Sequence, residues 1–224
     1  MFLLGPLLLT LATLATARIS HREHLLNLEL ELLQEEDSSV SGFSGAAIPE
    51  VHWESVSLPI SYTDPSVGNF TNRFWVVDEY YRPGGPVLVF DTGESAGGDG
   101  YIGRLTTEAS IVNQYLRQFG AIGIVWEHRY YGESLPFPIE LDTGADKMQY
   151  LTTENALRDT VVWAEQFQWN GLAVSPKQTP WIVMGGSYPG MRAAMLRELY
   201  PDTFYAAYAS SAPIQAQRDM NVCM

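Results

Sequence analysis

Short apolar runs recur along the chain from residue 86 onward and predict buried strands. They occupy residues 86–90, 121–126, 181–184 and 204–209. Each run is apolar almost throughout, without the alternation of polar and apolar positions that marks a half-exposed strand. Runs of this length are typical of strands that are covered on both faces of a parallel sheet.

Helical periodicity fills the intervals between these runs. Apolar positions spaced three and four apart predict helices over residues 103–119, 153–169 and 189–199. Strand and helix therefore alternate, which indicates an α/β fold with a mostly parallel sheet and right-handed crossovers. Residues 51–82 are instead aromatic and rich in turns, and we expect them to form a preceding antiparallel hairpin or sheet edge.

The residues before this alternation divide into two zones. An uncharged apolar run ends in Ala15-Thr16-Ala17, a small-x-small pattern that predicts a signal peptide over residues 1–17. A membrane anchor is the alternative, but the run is short for a span of ~20 residues. Residues 18–47 mix acidic residues with leucines and end in a Ser- and Gly-rich stretch. We interpret them as an acidic leader, either a poorly ordered one or a cleaved propeptide.

A signal peptide changes the interpretation of two isolated features. Asn69-Phe70-Thr71 is a glycosylation sequon, and we expect Asn69 to be a glycosylated surface site. Cys223 is the single cysteine of the chain, and we expect it to form a disulfide with a partner outside this sequence. The protein is then predicted to be secreted or to reach a lysosome or vacuole, free of the membrane once the signal is removed.

Charge and composition exclude several function classes. The formal net charge is −13, with 13 Lys and Arg residues against 26 Asp and Glu residues, so no basic surface is available for nucleic acid. No spacing of His, Cys and carboxylates resembles a metal site. The glycines near Asp91 lack the Gly-Lys-Ser/Thr of a phosphate loop. We therefore expect neither a metal ion nor another cofactor.

The sequence around Ser187 has the pattern of a catalytic turn. The apolar run 181–184 leads into GGSYPG at residues 185–190, and a predicted helix follows. A serine between strand and helix, surrounded by small residues, is the nucleophile elbow of the α/β-hydrolase fold. The alternative is a glycine-rich turn with an ordinary serine. The strand before the turn and the helix after it favour the nucleophile.

The partners that a serine nucleophile needs do not all follow it in this sequence. The hydroxyl requires a histidine base and a carboxylate that orients the base, and in this fold the order is Ser, Asp or Glu, then His. Carboxylates follow Ser187, but the histidines all precede it. Those histidines are His21, His24, His52 and His128. The triad therefore cannot be completed in the expected order within this chain.

Several sequence blocks together resemble a known family. They are DTGE at residues 91–94, EHRYYGESLPF at 127–137, YLT at 150–152, GGSYPG at 185–190 and SSAPI at 210–214. This set resembles the S28 serine peptidases, whose members include lysosomal Pro-Xaa carboxypeptidase, dipeptidyl peptidase II and fungal prolyl peptidases. The block at 127–137 is the most specific part of the resemblance.

The resemblance implies a serine-type peptidase, either an exopeptidase of the carboxypeptidase kind or an endopeptidase, that cleaves peptides or proteins on the carbonyl side of proline through an acyl-enzyme. Ser187 would be its nucleophile. The oxyanion hole would combine the backbone N–H of Tyr188 with an N–H from Gly93 or Glu94. Members of the family are much longer than this chain and carry their Asp and His after a helical cap domain. The resemblance therefore implies that residues 48–224 are the N-terminal half of an α/β-hydrolase domain, truncated before the cap domain and the triad Asp and His.

Two other functions stay open at this point. One is a lipase- or esterase-like hydrolase on the same fold, which the block at 127–137 disfavours. The other is a secreted binding protein of the hydrolase fold without catalysis, which the lack of a histidine after Ser187 favours. His128 is a candidate for the general base. We expect instead that Glu127, His128 and Arg129 form a buried network of ion pairs and hydrogen bonds near the site.

Overall fold

The strands follow the apolar runs of the sequence. The computed structural model describes residues 48–215, so the predicted signal peptide, the leader and Cys223 lie outside the described residues. The strands are β1 His52–Pro59, β2 Asn69–Val77, β3 Val87–Asp91, β4 Ile122–Trp126, β5 Trp181–Gly186 and β6 Ala206–Ser210. They form one six-stranded sheet in the order β1-β2-β4-β3-β5-β6.

The carboxyl ends of β4, β3 and β5 lie side by side, because these strands are parallel neighbours in the sheet. β1 and β2 form the predicted antiparallel hairpin at the sheet edge, and β2 also runs antiparallel to β4. The pairs β3–β4, β3–β5 and β5–β6 are parallel. After β3 the chain adds β4 on one side of it and then β5 on the other. Such a reversal opens a crevice beyond the carboxyl ends of the strands, where α/β proteins bind their ligands.

Helices cover both faces of the sheet. They are α1 Asp99–Thr106, α2 Ile111–Phe119, α3 Ala145–Met148, α4 Thr153–Gln166 and α5 Tyr188–Leu199. Leu105 and Leu116 of α1 and α2 belong to the core on one face. Trp163 of α4 and Leu196 of α5 belong to the core on the other. The central strands are therefore buried on both sides, as their apolar sequences predicted.

The single helix predicted over residues 103–119 was wrong, because two helices occupy this stretch. Thr107 has extended backbone dihedrals and ends α1. The hydroxyl of Ser110 accepts a hydrogen bond from the N–H of Val112 and caps α2. The buried amide of Asn113 then donates to the carbonyl of Leu105 at 2.6 Å. Side chains that bond to the backbone in this way compete with a continuous helix.

Two further expectations need correction at the ends of the domain. β6 is not buried on both faces, because among the described residues it pairs only with β5, and Tyr208 on it is exposed. The helix predicted over residues 153–169 ends at Gln166, since Phe167 adopts an extended backbone. This leaves the Phe167 ring packed edge-on against Trp163 at 5.5 Å. No helix within residues 48–215 has the length and apolarity needed to cross a bilayer.

Candidate active site

Ser187 lies at a sharp turn between β5 and α5. Its backbone has φ 60° and ψ −127°, a conformation that strains a residue with a side chain and is kept only where the surroundings enforce it. The N–H of Ser187 donates to the carbonyl of Ser210 at 2.9 Å, which ties the turn to the end of β6. The Ser187 side chain is exposed. The turn therefore presents the hydroxyl above the carboxyl edge of the sheet.

Small residues are required around this turn, as the sequence predicted. A Cβ atom on Gly185 would overlap the backbone of Pro189 in the first turn of α5. A Cβ atom on Gly190 would lie 2.8 Å from the carbonyl oxygen of Ser210. β5, α5 and the end of β6 thus meet at contact distance beneath Ser187.

The loop after β3 packs directly on the same turn. Gly93 has φ +58°, and a Cβ atom there would overlap the ring of Pro189. The N–H of Gly93 donates to Oδ1 of Asp91 at 2.9 Å, so it is not available to an oxyanion, and the prediction for Gly93 was wrong. Among the described residues, the N–H groups of Glu94 and Tyr188 have no acceptor. The N–H of Tyr188 has no acceptor because Tyr188 begins α5, and the first N–H groups of a helix lack partners within it.

A buried ion pair fastens this loop to α5. Nη1 of Arg192 lies 2.6 Å from Oδ2 of Asp91, and both side chains are almost fully buried. The other Arg192 terminus donates to the carbonyl of Ala156 at 2.9 Å and to the hydroxyl of Thr160 at 3.0 Å, both on α4. Burial raises the pKa of Asp91, and the Arg192 charge offsets part of that rise. One guanidinium thus holds the Gly93 loop, α4 and α5 together.

The predicted network after β4 is confirmed on both sides of His128. Glu127 is fully buried and accepts from Nε and Nη2 of Arg73 at 2.9 and 2.8 Å. Arg129 is 1% exposed and forms a bidentate pair with Asp159 of α4, at 2.6 and 2.7 Å. Its remaining N–H groups donate to the carbonyls of Pro59, Ile60 and Tyr150. All five donors of the guanidinium are therefore satisfied.

His128 lies between these two residues. It is neutral, and both of its ring nitrogens form hydrogen bonds. Its Nδ1 lies 2.6 Å from the carbonyl of Arg129, so Nδ1 carries the proton. Nε2 then accepts from the phenol of Tyr188 at 3.0 Å. Burial, reinforced by the charge of Arg192, holds the pKa of His128 well below its usual range. This arrangement does not suit a base for Ser187, in line with the sequence expectation.

An open pocket of about 240 Å³ lies beyond the carboxyl ends of β3, β4 and β5. It is lined by Glu94, His128, Tyr131, Leu151, Thr152, Thr153 and Tyr188. The pocket therefore joins the loop of the candidate oxyanion donors to the histidine after β4 and to the residue that follows Ser187. Within residues 48–215, no cluster of three His, Cys, Asp or Glu side chains has the arrangement of a metal site.

Comparison with known families decides the ancestry of this site. The family model described as Serine carboxypeptidase S28 matches residues 62–223, which is more than half of the chain. This chain belongs to the serine carboxypeptidase S28 family. The family assignment agrees with the resemblance carried by the block at 127–137, and the structure gives that block a physical role, since Glu127, His128 and Arg129 organise the site.

Relatives in the S28 family are considerably longer than this chain. The probable extracellular serine carboxypeptidase of Arthroderma benhamiae is 37% identical over 161 residues, covering 70% of this chain and 22% of the relative. Human lysosomal Pro-X carboxypeptidase is 33% identical over 159 residues, covering 70% of this chain and 31% of the relative. The matched part thus spans less than a third of each relative.

A solved structure supports the fold independently. A putative dipeptidyl aminopeptidase IV from Bacteroides ovatus superposes with a TM-score of 0.51 at 15% identity, over 75% of this chain and 22% of that chain. At this identity the likeness concerns the fold alone. With the parallel order of β3 to β6 and the turn at Ser187, it establishes an α/β-hydrolase fold for this S28 chain.

The close contact between Gly93 and Pro189, at the turn that carries Ser187, predicts that substitution of Gly93 lowers the stability of the fold. Gly93→Ala would place a methyl group against Pro189 at a positive φ, and we expect it to destabilise the fold by about 1–3 kcal/mol. Gly100→Ala is the matched control, because a Cβ there meets nothing within 4 Å and φ is ordinary. Urea unfolding of the two variants tests this. Equal midpoints for both variants would contradict the packing described here.

The Glu127 network predicts a pH-dependent contribution to stability. Burial would raise the pKa of Glu127, but hydrogen bonds from Arg73, Ser134 and Gly97 outweigh it and hold the pKa below its usual value. A carboxyl group whose pKa is lower in the folded than in the unfolded state stabilises the fold above the unfolded pKa and loses this effect as the pH falls. The stability gap between the wild type and Glu127→Gln should therefore narrow from neutral pH down to pH ~3. A gap that urea unfolding finds independent of pH would refute this.

Proposed function

We propose that this chain carries the nucleophile of a serine peptidase, and that Ser187 is that nucleophile. The observation that carries the proposal is an exposed serine at φ 60° between β5 and α5, in a member of the S28 family. The Ser187 hydroxyl would attack the carbonyl carbon of a peptide bond and form an acyl-enzyme as the amine leaves. Water would then hydrolyse the ester.

The oxyanion of the tetrahedral intermediate would be held by the backbone N–H groups of Tyr188 and Glu94. Both lack an acceptor among the described residues, and Tyr188 adds the positive end of the α5 dipole. The packing of Gly93 on Pro189 and the pair between Asp91 and Arg192 support a fixed distance between the two donors. Preorganisation of this kind is what makes backbone donors effective in catalysis.

The general base and its carboxylate are proposed to follow Ser187 in the chain order of the fold. No histidine follows Ser187 in this sequence, and His128 is committed to Arg129 and Tyr188. The base and acid would accordingly lie in polypeptide beyond this sequence, as the greater length of the relatives suggests. The hydrolysis experiments below therefore use the full-length product of the transcript that encodes this chain.

The substrate is proposed to be a peptide with proline on the carbonyl side of the cleaved bond. Support comes from the human relative, whose name specifies Pro-X carboxypeptidase activity. Hydrolysis of proline-containing peptides, matched alanine peptides and nitrophenyl esters, followed by mass spectrometry, tests this proposal. Preferential cleavage after proline would support it. Ester hydrolysis without peptide cleavage would favour a lipase- or esterase-like hydrolase instead.

The same proposal places the protein in the secretory pathway, either outside the cell or in a lysosome or vacuole. Support comes from the predicted signal peptide and from relatives described as extracellular and lysosomal. Asn69 begins β2 and is exposed, which leaves room for a glycan. We expect a mass increase on expression in a eukaryotic secretory host that peptide N-glycosidase removes and that Asn69→Gln abolishes. A wild-type mass that peptide N-glycosidase leaves without loss of a glycan would contradict this assignment.

A further inference from the structure

The pocket lined by Glu94, His128 and Tyr188, the residue that follows Ser187, offers polar groups to a ligand. Glu94 is exposed and is one of the residues that line the pocket. The Glu94 charge raises the pKa values of both Asp91 and Tyr188 as a secondary effect after burial, so it acts on the groups around Ser187. No lysine or arginine is among the residues that line the pocket.

The phenol of Tyr188 is turned into a hydrogen-bond acceptor by its neighbour. The carbonyl of Arg129 fixes the proton of His128 on Nδ1, at 2.6 Å. Nε2 then accepts a hydrogen bond from the Tyr188 hydroxyl, at 3.0 Å. A phenol has a single proton, so its oxygen has only lone pairs left for a ligand. Burial raises the pKa of Tyr188, which keeps this proton in place.

Nearby cations are already neutralised and cannot serve a negatively charged ligand. Arg129 is buried and uses its donors on Asp159 and three carbonyls. Arg192 is buried and paired with Asp91. His128 is neutral because burial, reinforced by the charge of Arg192, holds its pKa well below the usual range. The pocket therefore combines one free carboxylate with a neutral acceptor, and within the described residues it offers a carboxylate ligand no free cation.

We propose that this pocket binds a protonated amine of the peptide substrate, with Glu94 as its counter-ion and the Tyr188 oxygen as a second acceptor. The inference rests on the proposed peptidase function and deepens it, because it names the charged group that the substrate presents beside Ser187. An ammonium group donates three hydrogen bonds, which a carboxylate and a phenol oxygen can both accept. The amine is either the free amino terminus of the peptide or a lysine side chain, and the carboxyl terminus of the substrate is excluded from this pocket.

Binding to an inactive variant tests the proposal without requiring catalysis. The 224-residue chain with Ser187→Ala would be titrated with Ala-Pro-Ala, acetyl-Ala-Pro-Ala and acetyl-Lys-Pro-Ala, and the amide resonances of residues 93, 94 and 188 would be followed by NMR. We expect a peptide with an amine to bind about tenfold more tightly than acetyl-Ala-Pro-Ala, as charge-assisted hydrogen bonds allow. Preference for Ala-Pro-Ala would identify the amino terminus as the ligand, and preference for acetyl-Lys-Pro-Ala would identify the lysine side chain.

Two variants and one control separate this site from general charge effects. Adding Glu94→Gln should remove the preference for the amine. Adding Tyr188→Phe should reduce the preference for the amine several-fold, while the affinity for acetyl-Ala-Pro-Ala stays the same. Glu198→Gln should leave the preference intact, because this exposed residue lies at the far end of α5, about 16 Å along the helix axis from Ser187.

The outcomes that overturn the inference are specific. Equal affinity for the three peptides, no binding of any of them, or an amine preference that survives Glu94→Gln would each refute the amine site. None of these results affects labelling of Ser187 by a serine-directed reagent, which tests the proposed function. Conversely, absence of that labelling would refute the peptidase proposal and leave the measured affinities as they are.

Discussion

Ser187→Ala is expected to abolish peptide hydrolysis by the full-length product, with a loss of roughly 10⁶-fold in kcat. The reason is that the proposed acyl-enzyme requires the Ser187 oxygen, and the oxyanion donors alone leave only a small residual rate. Steady-state hydrolysis of a proline-containing peptide measures the effect. Ser57→Ala is the control, since Ser57 is exposed on β1 at the sheet edge and should leave the rate unchanged. A Ser187→Ala rate within tenfold of the wild type would remove Ser187 from the mechanism.

Arg129→Met is expected to destabilise the domain by about 3–5 kcal/mol. The side chains of Arg129 and Asp159 are 0% and 1% exposed, so methionine would leave the Asp159 carboxylate uncompensated in the interior. It would also leave three carbonyl acceptors without their donors. Urea unfolding of the 224-residue chain measures the loss.

Two further variants check the cause of that loss. Arg197→Met, on an exposed arginine of α5, should stay within about 0.5 kcal/mol of the wild type. The double variant Arg129→Met with Asp159→Leu should recover part of the stability, because a buried pair replaced on both sides by apolar groups leaves no unpaired charge. A loss for Arg129→Met no larger than that for Arg197→Met would show that the buried pair does not stabilise the fold.

The central strands and the Ser187 turn could be predicted from sequence because their signals are local. β3, β4 and β5 are each a short apolar run bounded by turn residues. The glycines at 185, 186 and 190 precede and follow the serine within six positions. A strand that is buried on both faces and a turn that needs small residues leave their marks in adjacent residues, so neither depends on knowing distant contacts.

Features of the site that depend on contacts between distant residues could not be predicted from the sequence. The N–H of Gly93 is taken by Asp91, whose orientation is set by Arg192, a residue 101 positions away along the chain. The pairing of His128 with Tyr188 joins residues 60 positions apart. The sequence offers no local signal for either contact. The sequence therefore predicted which loop faces Ser187. It could not predict which N–H group of that loop is free.

Exposure of β6 and the break between α1 and α2 have similar explanations. An apolar run predicts a strand, but its burial depends on which neighbours pair with it, and β6 pairs only with β5 among the described residues. The break at Thr107–Ser110 depends on the hydroxyl of Ser110 turning to the N–H of Val112. Helical spacing of apolar residues continues through such a cap, so the periodicity alone predicted one helix.

The most direct test of the account is site-mapped labelling with a fluorophosphonate. The full-length product of the transcript that encodes this chain would be treated with the reagent beside its Ser187→Ala variant, and the modified peptide would be identified by mass spectrometry. We expect a single labelled residue, Ser187, and no labelling of the variant. Labelling of a different serine, or an unmodified Ser187 in the folded full-length product, would contradict it and favour a binding protein of the hydrolase fold.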